Sequence, residues 1–160
     1  MKLEQVGGSV WTRVWIPLGA GLMIVALAGS AAVVPQLRLL HLFQALIYVA
    51  VILLARRNLA WGFGAAIVIA AVWNSLNLFV THLMQAGWRE LLTLLRTGEL
   101  RRPDTLMVFV GGIGHFILIA ASVVAFCQLR RRKQGWLQFV GGGVLVFAYF
   151  ALIVATMRPR

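Results

Sequence analysis

The chain has 160 residues, 61% of them hydrophobic and only 12% charged, and its mean hydropathy is +0.90. A soluble domain is usually about 45–50% apolar with glycine counted in, and about 25% charged; here sixteen glycines come on top of the 61%. This composition excludes a soluble domain, a disordered chain and a disulfide-rich secreted module, and predicts an integral membrane protein.

Acidic residues occur only at Glu4, Glu90, Glu99 and Asp104, against fifteen basic ones, for a formal net charge of +11. On a soluble domain that balance would suggest nucleic acid. Here the basic residues form short clusters between long apolar runs, as loops that contact lipid headgroups do. The expected partner is the lipid bilayer, and no nucleic acid. Cys127 is alone, so there is neither an internal disulfide nor a dithiol pair, and its apolar neighbours predict a buried, inert thiol.

A helix crossing a bilayer core needs roughly 20 apolar residues. The uncharged runs predict five spans, at about 14–34, 39–55, 59–83, 105–129 and 136–157. The first follows Lys2 and Arg13 and contains Ala26-Leu27-Ala28, so it also reads as a cleavable signal. Its removal would leave four helices starting near Gly29; retention is the expectation. Pro35, in Val34-Pro35-Gln36-Leu37-Arg38, breaks the chain into a tight hairpin before the second span. Trp11, Trp15, Trp61 and Trp136 stand at span starts, as interfacial anchors do.

After the third span, Trp88, Leu91, Leu92 and Leu95 recur at helical spacing, while Arg89, Thr93 and Arg96 share another face. Residues 86–97 are therefore expected to form a short amphipathic helix in the headgroup layer, either capping the bundle or covering a lateral opening. Asp104 is placed to N-cap the fourth span. Gly141-Gly142-Gly143 falls inside the fifth span, where it serves packing and not phosphate binding. The fold class expected is an all-α integral membrane protein: five transmembrane helices and one short amphipathic interfacial helix, in a single domain, 1–160.

Basic residues fall eight on the N-terminal side and seven on the other. The compact Arg130-Arg131-Arg132-Lys133 run tips the orientation to N-terminus inside and C-terminus outside, in a bacterial cytoplasmic membrane.

Polar side chains within a span are costly and usually face protein or water. At about 100° per residue, Asn74, Asn77, Thr81 and Gln85 make one stripe roughly 80° wide, with His82 on its flank. His41, Gln44 and Tyr48 share a face of the second span, and Gly111, His115 and Ser122 a face of the fourth. Topology puts these groups in the half of the bundle bounded by the 34–38 hairpin and the 85–104 segment, with His115 roughly 15 Å deeper than the surface histidines. Tyr149 of the fifth span approaches from the far side. The candidate ligand-binding residues are His41, Gln44, Tyr48, Asn74, Asn77, Thr81, His82 and His115.

Three readings of this cluster stay open. It is hydrogen-bonding glue between helices, or a site for a quinone, porphyrin or lipid whose head the polar groups hold, or a haem b site ligated by His82 with His41 or His115. Zinc lacks the acids and cysteines it would need, and carboxylate proton relays lack their residues. In length, span count and tryptophan content the chain resembles the tryptophan-rich sensory, or translocator, protein family, which binds porphyrins and sterols. That family's Trp-Pro-Pro type loop is absent, and no functional residue carries over. The histidine-bearing spans are also similar to those of small membrane b-type cytochromes. The function expected is non-enzymatic: a polar half-bundle that holds a small hydrophobic ligand or a partner helix. The alternatives are a haem-carrying electron-transfer subunit and a structural subunit meeting partners through the Gly- and Ala-rich faces of spans three and four.

Overall fold

A computed structural model describes residues 9–130 and 135–156, and all regular structure among them is helical. A π-turn at Trp11–Trp15 runs into α1 (Ile16–Val33), and a 3₁₀ turn at Pro35–Leu37 leads to α2 (Arg38–Arg56). There follow α3 (Ala60–Ser75), ending in a second π-turn at Leu76–Val80, then α4 (Leu83–Thr97), α5 (Pro103–Arg130) and α6 (Trp136–Thr156). Five segments are long and apolar enough to cross a membrane: Trp11–Val33, Pro35–Arg56, Ala60–Val80, Pro103–Leu129 and Trp136–Thr156. Their helical form follows from composition, because an apolar run without water must satisfy every backbone N–H and C=O within itself. Lys2, Arg131, Arg132, Lys133, Arg158 and Arg160, on which the expected orientation partly rests, lie outside the described residues.

The helices α3 and α5 form the middle of the bundle. α1 packs on α2 and α5, α2 on α1 and α3, α6 on α3, and α4 on α5. Glycine sets how closely they approach. At the α1–α5 crossing, a Cβ on Gly19 would stand 2.7 Å from the Gly114 carbonyl oxygen, and one on Gly114 equally close to that of Gly19. A Cβ on Gly64 would collide with the Phe139 carbonyl, and one on Gly142 with that of Trp61, so α3 and α6 lie backbone against backbone. The small-residue faces expected to meet partner helices are thus occupied by this chain's own helices: Gly62 faces α2, and Gly111 faces Met23 of α1.

The outward faces are apolar. On α5, Ile113, Phe116, Val123 and Cys127 are exposed, at successive spacings of three, seven and four residues, which keep them on one helix face. The thiol of Cys127 is therefore exposed and not buried as expected, because it lies on the face turned away from α1 and α3.

Two local devices fix the hairpin end. Arg38 donates from Nε to the Ala31 carbonyl at 3.2 Å, meeting one of the unpaired carbonyls at the end of α1. In α4, the buried Glu90 accepts the backbone N–H groups of Arg101 and Arg102, the latter at 2.8 Å, and so ties the approach to α5 onto α4. α5 begins with Pro103 at its first position, where a missing N–H costs nothing. Asp104 is one residue inside the helix, so it is not the N-cap that its residue type suggested; it complements the helix dipole from the first turn. The amphipathic helix starts at Leu83 and buries Met84, Gly87 and Glu90 against α5, leaving Trp88 and Leu95 exposed. The expected apolar stripe thus flanks the packed face.

Replacing Gly64 by Ala should destabilise the fold by about 1–3 kcal/mol, the usual cost of overpacking. Gly21→Ala, with nothing within 4 Å of the added Cβ, should be neutral or slightly stabilising. Thermal melts of both variants in mild detergent check the contrast.

Candidate functional site

The site lies at the hairpin end, where α1, α2, α3 and α5 converge and α4 begins. Its centre is His115, 1% exposed on α5. Tyr48 of α2 stands 2.7 Å from His115 Nε2, and Asn74 Oδ1 of α3 stands 3.0 Å from Nδ1. The chemistry of the partners orients the chain. An amide oxygen only accepts, so Nδ1 carries the ring proton and donates to Asn74, while Nε2 accepts from the Tyr48 hydroxyl. One imidazole thereby joins three helices, all of its ring nitrogens engaged.

A second unit lies nearer the hairpin. His41 Nδ1 donates to Gln44 Oε1 at 3.1 Å, one turn along α2, and Nε2 accepts from the Ser30 hydroxyl of α1 at 3.0 Å. Between the two units lies a cavity of about 210 Å³. Its wall is mostly apolar, with Met23, Ala26 and Leu27 from α1 and Met107 and Val108 from α5, and its polar groups are Ser30, His41, Trp73, Asn77, Asp104 and His115. Leu83, the first residue of α4, closes part of the rim. Asp104 pairs with Arg102 at 3.4 Å and is partly exposed.

The eight residues expected at the site separate into groups. His41, Asn77 and His115 line the cavity; Gln44, Tyr48 and Asn74 are buried behind it and hold the two histidines. Thr81 does not line the cavity; it is exposed and donates to Asn77 Oδ1 at 3.2 Å. His82 does not join them. The π-turn ends in a bond from Thr81 N–H to the Leu76 carbonyl, five residues back, and His82 then adopts a left-handed conformation, φ 55°, at the corner before α4. Both departures from regular α-helix carry His82 out of the stripe, and it is exposed. The third span accordingly stops at Val80, short of the expected 83. Tyr149 does not reach the cavity either: its hydroxyl donates to the Phe43 carbonyl at 3.3 Å, beside a separate apolar groove of about 390 Å³ between α2, α3 and α6.

Ser30, Trp73, Asp104 and the methionines were not among the expected site residues. Ser30 was readable, being the one polar side chain in α1. Trp73 was not, since aromatic residues in apolar helices are ordinarily core.

Haem does not fit these residues. His82 is apart from the other two histidines, and both ring nitrogens of His41 and of His115 are already bonded. A cavity of about 150 Å³ takes benzene, so one of about 210 Å³ has room for a single substituted ring and not for a macrocycle of four pyrroles. Among the described residues no group of three His, Cys, Asp or Glu side chains is placed to hold a metal ion. No family model, curated protein or solved structure matches the chain.

Two outcomes follow. Gently purified protein should show no Soret band, oxidised or dithionite-reduced, and a band that sharpens on reduction would mean that a histidine had been released to iron. A double-mutant cycle of Tyr48→Phe and His115→Phe should give a coupling of about 0.6 kcal/mol, the average for hydrogen bonds between membrane helices, and no more than about 1.7. Additive losses would show that the bond contributes nothing to stability.

Proposed function

We propose that this is an integral membrane protein, N-terminus inside, that binds a small hydrophobic or amphipathic molecule in its polar half-bundle and performs no chemistry on it. The observation that carries the reading is a cavity of about 210 Å³ at the end of the bundle where the buried polar groups collect. Membrane sites for small molecules need an apolar wall for the body and a few fixed polar groups for the head, and this wall has that composition. Three methionines, Met23, Met84 and Met107, lie in or directly behind the wall. Their flexible, polarizable side chains suit a pocket that adapts to its ligand.

A binding role is also favoured over catalysis by the state of the histidines. Each has one nitrogen donating and one accepting within the protein, so neither is free to move a substrate proton. The amphipathic α4, with Trp88 and Leu95 exposed beside Arg89 and Arg96, suits the headgroup layer and places Leu83 over the cavity rim. That arrangement favours the role of a cover over an opening.

Val108→Trp fills the cavity from α5 without replacing any residue of either histidine unit. In lipid nanodiscs, ligand-observed NMR should show transfer from the protein to a small aromatic probe such as durene, and that transfer should fall to the lipid background in Val108→Trp. Equal transfer to both proteins, with both folded, would remove the cavity as a binding site.

A further inference from the structure

Apart from that cavity, we infer that the groove between α2, α3 and α6 is the site of one anionic phospholipid, with an acyl chain in the groove and the phosphate at Arg57. The groove exists because α2 and α6 flank α3 and scarcely touch each other. Small residues on all three helices, Ala50, Ala65 and Gly142, leave about 390 Å³ between them. At one end the Tyr149 hydroxyl crosses from α6 to donate to the Phe43 carbonyl of α2 at 3.3 Å. That bond closes the end and commits the hydroxyl proton, so no donor is left there for an anionic head.

The opposite end is polar on both walls. On α2, Ala50, Leu54 and Arg57 recur at four and three residues, so Arg57 continues the groove's stripe one turn beyond Leu54. On α6, Gln138 stands one turn before Gly142, on the stripe of Leu145 and Tyr149. Arg57 and Gln138 are exposed, and among the described residues neither side chain has a hydrogen bond or ion pair. Trp61, half-buried in the groove with its ring against Gly141, is the aromatic residue expected at a headgroup boundary. From Arg57 to Leu46 the helix covers roughly 16 Å at about 1.5 Å per residue. A bilayer's hydrocarbon core is roughly 30 Å thick, so the groove runs the depth of one leaflet, the path of an acyl chain.

Charge at this end favours an anion. Among the described residues Arg13, Arg56, Arg57 and Arg130 belong to it, while Glu90, Glu99 and Asp104 all lie at the hairpin end. α3 and α6 begin here, both with no acid in the first turn and α3 with no capping side chain, so both present positive helix ends. The negative end of α2 carries Arg56 and Arg57. A zwitterionic lipid offers the same phosphate but adds a cation that these groups repel, so a headgroup of net negative charge is the complementary one.

Native mass spectrometry of the full-length protein in mild detergent, with dioleoyl phosphatidylglycerol and dioleoyl phosphatidylcholine in competition, tests this. One phosphatidylglycerol per chain should bind about fivefold more tightly than phosphatidylcholine. Arg57→Gln should lower phosphatidylglycerol to the phosphatidylcholine level, and Ala50→Phe, which fills the groove, should weaken both lipids about three- to tenfold. Both replaced residues are exposed, so neither change disturbs the core. Val108→Trp, which fills the other cavity, should leave lipid binding unchanged; a loss there would put the lipid in that cavity and overturn the proposal. Equal affinity for the two lipids, or a preference that survives Arg57→Gln, would overturn the head site. A preference lost in Arg57→Gln but untouched by Ala50→Phe would mean a headgroup held at the surface with no chain in the groove. A dimer that Ala50→Phe abolishes would put a second copy of the chain there, and either result overturns the proposal.

Discussion

A polar group that leaves water for the interior of an apolar bundle has to be met by another polar group, and the arrangement of α2, α3 and α5 depends on how His115 meets that demand. Its ring lies fully inside, out of reach of solvent, and each nitrogen is bonded to a different helix. Apolar packing between such helices is permissive in register, because leucine against leucine resembles leucine against lipid. The Tyr48–His115–Asn74 chain is not permissive. Sliding α2 or α3 by one residue would break a bond and leave a buried donor or acceptor alone. The register of three helices is thus set by one imidazole, and His41 with Ser30 extends the same constraint to α1.

Close backbone approach and polar bulk occur in the same bundle. Around Gly19 and Gly114, and again around Gly64 and Gly142, backbones meet with no side chain between them. The helices cannot stay that close along their whole length when some of the side chains they carry are large and polar. Toward the hairpin, His41, Gln44, Trp73 and Asn77 hold the helices apart, and the space between them is the cavity. α4, anchored through Gly87 and Glu90, lies at the hairpin end beside that cavity.

Much of this was legible in the sequence. Five apolar runs gave the helices, and polar residues on shared faces, combined with the alternation of spans, pointed to the half of the bundle where His41, Asn77 and His115 line one cavity. The steps that failed share a cause. Projecting Thr81 and His82 onto a wheel assumes a constant turn per residue, and the π-turn at Leu76–Val80 and the left-handed His82 break that assumption. Asp104 looked like an N-cap because of its residue type, yet Pro103 before it is the better first residue of a helix. Glu90 could not be read as a tie for the next helix start, because its partners are backbone N–H groups eleven and twelve residues away. Exposure of Cys127 depended on which side of α5 faces its neighbours, which composition alone does not tell.

The same donor and acceptor bookkeeping that fixes the fold also shapes the site. A histidine with both nitrogens satisfied uses one acceptor on the amide beside it and leaves that amide's nitrogen unmatched. Two such pairs, His115 with Asn74 and His41 with Gln44, leave two amide nitrogens unmatched in the packed interior behind the cavity. Had either histidine bonded to a hydroxyl at both ends, the hydroxyls could have turned to serve as donor or acceptor, and no bias would have remained. Amides cannot turn in that sense, because their oxygen and nitrogen are different atoms held in one plane. The unmatched amide nitrogens of Asn74 and Gln44 are therefore a consequence of using amides to hold the imidazoles.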